Sequence, residues 1–226
     1  MSLIKKFTIL GERCSGTNYL EELILNNFNI DITWEYGFKH FFGFYKFRQN
    51  EDAIKNEDEV LFIGIVRHPI YWINSLFKEQ HNLPNHFRNI NNFLFNEFYS
   101  FYDNVYSIRT EDLNYITNKR YKNIFEMRFL KNYYLINSMP NNVKNYILIN
   151  YENLRDNTND ILSIIENKFS LVRKYSFYKN VKYYKKEKHI SFNKKKLELP
   201  LKYQIICSLK LNKQQEKKLG YNIELK

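Results

Sequence analysis

The sequence predicts a three-layer α/β/α domain around a central parallel sheet, and three observations carry that class. Four short apolar runs, at 6–10, 30–34, 60–66 and 146–150, read as strands. Helical patterns separate them, as β-α-β units require. The strongest run, Val60-Leu61-Phe62-Ile63-Gly64-Ile65-Val66, is apolar almost throughout, as a strand covered on both faces must be.

Each element follows in order. Lys6-Phe7-Thr8-Ile9-Leu10 stops at Gly11. After a loop, Tyr19, Leu20, Leu23 and Ile24 recur on one helical face. Ile30-Asp31-Ile32-Thr33-Trp34 is a weaker strand. The third run ends at His68-Pro69, and 70–77 reads as helix. A longer helix is expected over 124–137, with Phe125, Phe129 and Leu135 in core positions. The fourth strand leads through Tyr151-Glu152-Asn153-Leu154 into a helix over 160–169. Residues 80–122 are the least constrained. His81 and His86 there lack carboxylates at ligand spacing, so no metal site is expected.

With 226 residues, 44% hydrophobic and 26% charged, the composition is that of a folded chain, and a single domain spanning 1–226 is expected. A chain of this size buries roughly 70% of its unfolded surface and needs no disulfide or metal to hold it. Its two cysteines, Cys14 and Cys207, exclude a disulfide framework or a Cys-rich zinc site. Thirty-five basic against 24 acidic residues give +11, which points to an anionic partner. Ala53 is the sole alanine, and a coding bias of this kind inflates the lysine count. No leader-like start and no run of ~18 apolar residues is visible, so a cytoplasmic protein without a membrane span is expected.

Two segments carry chemistry. Gly11-Glu12-Arg13-Cys14-Ser15-Gly16-Thr17-Asn18 lies between the first strand and the first helix. Two glycines five positions apart let the backbone turn N–H groups inward, and the helix start adds partial positive charge. Together they cradle a phosphate or sulfate group. Arg13 supplies a full charge; Ser15 and Thr17 supply hydroxyls. An ATP-type loop has Lys after its second glycine, where this chain has Thr17, which argues against an ordinary phosphotransferase. A cysteine phosphatase needs Arg six positions after its cysteine, and Leu20 stands there, so Cys14 reads as a lining residue. The second segment places Arg67 at the carboxyl end of the strongest strand, where parallel sheets bind ligands, and Ser75 eight residues on. Pro69 suits a helix start. Arg67 and Ser75 are therefore expected to converge on one anion.

Together these segments resemble the sulfotransferase family, which uses 3′-phosphoadenosine 5′-phosphosulfate (PAPS), and in particular a little-characterised branch with Gly-Glu-Arg-x-Ser-Gly-Thr-Asn. The resemblance covers roughly 5–82 and 143–170, with Tyr151-Glu152-Asn153-Leu154 and Leu219-Gly220-Tyr221 in the matching places. It implies a P-loop-NTPase-like sulfotransferase fold. Arg13, Cys14, Ser15, Gly16, Thr17 and Asn18 would hold the 5′-phosphosulfate, and Arg67 and Ser75 the 3′-phosphate. The family has Lys or Arg directly before Ser-Gly-Thr, where this chain has Cys14. Either Arg13 reaches the group by another route or Lys39 supplies the charge.

The resemblance implies in-line sulfuryl transfer to an acceptor hydroxyl of a carbohydrate, peptide or small alcohol. Adenosine 3′,5′-bisphosphate is the product, and no metal is required. Positioning and charge stabilisation would do most of the work, with a general base assisting. His40 is the first choice for that base, because an imidazole titrates near neutrality. Glu22 on the first helix is the second, and Lys39 would stabilise the leaving group. The basic segment at about 173–198, above all 182–196, would be the family's nucleotide-covering loop. The aromatic stretch Phe93 to Tyr102 would bind acceptor. The competing readings are a basic nucleic-acid-binding protein, for which no helix-turn-helix, zinc-finger or RNP pattern speaks, and a P-loop nucleotide-dependent phosphotransferase.

Overall fold

A computed structural model describes residues 4–41, 57–103, 109–184, 187–191 and 196–223. In chain order its elements are β1 (Lys6–Leu10), α1 (Thr17–Asn27), β2 (Asp31–Ile32), β3 (Val60–Val66), α2 (Pro69–Lys78), α3 (Ile90–Phe95), β4 (Phe101–Asp103), β5 (Arg109–Glu111), α4 (Ile124–Tyr133), α5 (Met139–Asn142), β6 (Tyr146–Asn150), α6 (Tyr151–Asp156), α7 (Thr158–Phe169), β7 (Tyr183–Tyr184), β8 (Glu187–Ser191), α8 (Leu201–Lys210) and α9 (Lys213–Lys218).

All four expected strands form, and they pair in parallel in the order β2-β1-β3-β6, so the α/β class and the parallel sheet are as the sequence predicts. Every residue of β3 is buried, as its unbroken apolar run requires. The 30–34 run gives only two residues of strand. It lies at the sheet edge, where polar Asp31 and Thr33 alternate with the isoleucines. The expected helix over 124–137 ends at Tyr133 and continues as a π-type turn, Tyr134–Ser138. Phe125 and Leu135 are core, but Phe129 is 37% exposed and corrects the expectation. The buried face of α4 runs through Ile124, Met127, Arg128 and Lys131, and its two cations are positions that an apolar periodicity cannot mark.

The chain divides into two compact units, residues 1–68 with 135–196, and 69–134 with 197–226. The first holds the parallel sheet. Its core packs Phe7 and Ile9 of β1, Leu20, Leu23 and Ile24 of α1, Leu61, Ile63 and Ile65 of β3, and Leu162 and Ile165 of α7. Its basic stretch begins at the carboxyl end of α1: the Lys174 ammonium donates to the Leu25 carbonyl at 2.7 Å, and Asn27 exchanges hydrogen bonds with the Lys179 backbone at 2.7 and 2.9 Å. Of the proposed covering loop at 182–196, residues 185–186 and 192–195 lie outside the described residues, as do the side chains of 184–195.

The second unit holds α2, α3, the β4–β5 hairpin, α4, α8 and α9. Phe93 and Phe98, expected to face an acceptor, are instead fully buried core. Phe98 stacks on Phe87 with centroids 5.1 Å apart. Two ion pairs are sealed inside this unit. Arg128 grips Glu216 with two hydrogen bonds of 2.6 and 2.7 Å and lies 5.0 Å from the Trp72 ring, and Lys131 meets Asp112 at 2.5 Å.

Candidate active site

β1 has β2 on one side and β3 on the other, so the chain moves outward to β2 and then returns across β1 to β3. The strand order reverses between β1 and β3. The crevice outside the carboxyl ends of such a pair is where open α/β sheets take their ligands. The first residues past β1, β3 and β6 are Gly11, Arg67 and Tyr151, and all three meet at the same loop.

Gly11 is required by crowding. A Cβ there would stand 2.6 Å from Ile65 Cγ2 and 2.9 Å from the Ile65 carbonyl oxygen. Past it, Cys14 and Gly16 both take positive φ, 62° and 98°, which bends the loop back on itself in the manner of an anion-binding nest. Gly16 caps α1 in the left-handed region, and a Cβ on it would sit 2.2 Å from the Tyr151 ring, so backbone and packing both demand glycine. No side chain caps the start of α1 and no acid lies in its first turn, which leaves the helix end polarised toward an anion.

Arg67 leaves β3 toward this loop. Its Nη1 donates to the Cys14 carbonyl at 2.9 Å, and its guanidinium lies 4.9 Å from the Tyr151 ring centroid. Burial pushes the Tyr151 phenol above 10, while Arg67 and Arg155 pull it the other way. Glu152, next along, accepts the His68 backbone N–H at 3.1 Å. The Tyr-Glu-Asn-Leu segment thus acts as a wall: Tyr151 closes the loop from β6, and Glu152 holds the exit of β3.

Lys39 and His40 arrive from the strand edge. Thr33 donates to the Phe7 carbonyl at 2.8 Å. A turn closed by Gly37 N–H and the Trp34 carbonyl at 3.0 Å then sends the chain back toward Gly11. Gly11 N–H donates to the Lys39 carbonyl at 3.0 Å, and the His40 ring Nδ1 lies 2.7 Å from the Gly11 carbonyl. A carbonyl only accepts, so Nδ1 carries the proton and Nε2 is the basic nitrogen of the neutral ring. The Lys39 ammonium is buried and reaches the first turns of α1, at 2.6 Å from Asn18 Oδ1 and 2.9 Å from Glu21 Oε2. Arg13 lies over the rings of Phe38 and Phe41 at 5.8 and 5.9 Å.

The structure therefore brings Arg13, Cys14, Gly16, Thr17, Asn18, Lys39, His40 and Arg67 to one loop. Ser15 is there too, but its hydroxyl donates to the Glu12 carbonyl at 2.6 Å and fastens the loop to itself. Glu22 is half-buried, and the carboxylate meeting Lys39 belongs to its neighbour Glu21, about 100° round the helix. Ser75 lies on α2 in the second unit. It is 2% exposed, and its hydroxyl has no hydrogen-bond partner among the described residues. The sequence reading missed Glu21 and the packing role of Tyr151. The spacing of Glu21 three residues after Asn18 carried the first, whereas nothing local carried the second. Among the described residues, no group of three or more His, Cys, Asp or Glu stands close enough to hold a metal, and no helix is long and apolar enough to cross a membrane.

No family model and no curated protein sequence matches the chain. Among solved structures it is similar to the mouse sulfotransferase SULT7A1 complexed with PAP, at 15% identity and a TM-score of 0.45. The match covers 79% of this chain, which spans 61% of that structure's length.

Proposed function

We propose that the chain is a PAPS-dependent sulfotransferase that moves a sulfuryl group to an acceptor hydroxyl, acting as one sulfotransferase-like domain. The observation that carries this is the meeting of Arg67, from the end of β3, with the glycine loop after β1. Two segments 53 residues apart, each of anion-binding type, close on one crevice. The donor set fits a nucleotide that is anionic at both ends: Arg13, Lys39 and Arg67 are cationic, and the first turn of α1 presents backbone N–H groups.

When bound, PAPS supplies an activated sulfuryl group and a phosphate leaving group. Gly16, Thr17 and Asn18 would hold the phosphosulfate end on α1, with Cys14 lining the loop. Arg67 would hold the 3′-phosphate. Ser75 keeps the same assignment from the sequence resemblance alone. Lys39, at Asn18, supplies the ammonium that the loop itself lacks and stabilises charge on the departing oxygen. His40 takes the acceptor hydroxyl's proton at Nε2, with the Gly11 carbonyl fixing the tautomer through Nδ1. Glu22 is the second choice for that role. We expect the acceptor to be a carbohydrate, peptide or small alcohol.

Thermal-shift titration tests the reading against its rivals. Adenosine 3′,5′-bisphosphate should raise the melting midpoint, and Arg67→Ala should weaken that binding ~10–100-fold, the loss of one or two charged hydrogen bonds. Stabilisation by ATP but not by the bisphosphate would make the protein a phosphotransferase. Stabilisation only by single-stranded DNA would make it a nucleic-acid binder.

A further inference from the structure

In the second unit, α8 turns one face inward, burying Cys207 and Ser208. Another face is left bare. Leu201, Ile205 and Leu209 recur every four residues and are 65%, 43% and 71% exposed. At about 100° per residue they share an arc of roughly 80°. Isolated exposed leucines are ordinary, whereas three in a row along ten residues form a continuous apolar ridge.

Within α8 and α9 the surface charge is of one sign, and the exposed acid just before them, Glu198, is paired with Lys78. The five lysines of α8 and α9 are all exposed. The one acid in these two helices, Glu216, is buried against Arg128 and contributes no surface charge. Lys202 lies beside the ridge and packs its ammonium 4.8 Å from the Tyr203 ring. A second copy of the chain meeting this face across a two-fold axis would set like charges against like. A nucleic acid would use the lysines but not an aliphatic ridge, since bases stack on aromatic rings. An anionic bilayer uses both, with acyl chains taking the leucines and headgroups the lysines.

We propose that α8, with the lysines of α9, docks the protein on an anionic membrane surface, lying in the interface without crossing it. The proposal does not depend on the sulfotransferase reading.

The test is flotation of the full chain with vesicles of phosphatidylcholine alone or mixed with phosphatidylserine. Binding should need the anionic lipid and weaken with salt. Leu201→Ser with Leu209→Ser should reduce it by at least ~10-fold, with an unchanged melting midpoint because both side chains already face solvent. Lys202→Gln with Lys210→Gln should reduce it by a similar factor. Binding that survives the serine pair, or the lack of any binding at low salt, would overturn the proposal. So would a dimer, seen by ultracentrifugation, that the serine pair abolishes without vesicle binding.

Discussion

Buried cations occur in both units, and the contrast between them separates structure from site. Lys131 and Arg128 are sealed: their pairs with Asp112 and Glu216 leave 3% or less of each side chain exposed. Opposite charges meet in good geometry, and the result is a closed account within the core. Lys39 is nearly as buried, at 8% against 11% for its partner Glu21, yet it lies on the first turns of a helix whose N-terminus has no side-chain cap. Arg67 likewise leans on a carbonyl and an aromatic face. Burial of charge alone therefore does not separate the two groups. What distinguishes the cations of the proposed site is burial beside backbone donors at the carboxyl ends of adjacent strands, where the sheet order reverses.

The largest effect that would break this contrast is on the site side. His40→Ala should lower sulfuryl transfer ~10²–10⁴-fold, the usual worth of a general base, while leaving bisphosphate binding in place. Full transfer activity in that variant would remove His40 as base and pass the role to Glu22, whose Gln variant should then fall instead. Next comes the sealed side. Lys131→Met strands the Asp112 carboxylate in the core and should cost about 3–5 kcal/mol in urea unfolding. The double replacement Asp112→Leu with Lys131→Met should cost far less, because no lone charge remains. Lys39→Met strands the Glu21 carboxylate and should also cost stability, but it should add a large loss of turnover that Lys131→Met does not show in the protein that remains folded. Normal turnover per folded molecule in Lys39→Met would erase the distinction.

The legible part of this molecule was whatever a short window could hold. β3 declared itself by seven consecutive buried residues, and the loop by two glycines whose positions the structure explains through Ile65 and Tyr151. His40 was legible as a residue type but not as a tautomer, since its Gly11 contact spans 29 residues. The sealed pairs were illegible because their partners are 19 and 88 residues apart, and because a cation on the inner face of α4 reads, in sequence, as a solvated one. Phe93 and Phe98 failed for the converse reason: a cluster of aromatic residues looks alike in sequence whether it packs on itself or on a ligand. Glu21 and Glu22 differ only by one step round a helix, a difference settled by where Lys39 returns to α1.

The smallest effect sharpens the comparison through the two thiols. Cys14 is half-buried in the loop, whereas Cys207 is fully buried on the inner face of α8, and the two form no disulfide. Burial pushes the Cys207 thiol from 9.0 up to about 12, and the Tyr36 phenol from 10.0 to about 12. Each folded value lies above the unfolded one, so the folded state keeps its proton longer. The stability this provides is complete below pH 9.0 for the thiol and drains away as pH climbs toward 12. Each group steepens the alkaline limb by at most about 1.4 kcal/mol per pH unit. Urea midpoints followed through this range should fall, and Cys207→Ala should flatten the fall while lowering the plateau slightly. Near neutral pH, an alkylating reagent should label Cys14 in the native protein and reach Cys207 only on unfolding. Equal labelling of both would mean that the sealed unit opens as readily as the loop, and the contrast drawn from its ion pairs would go with it.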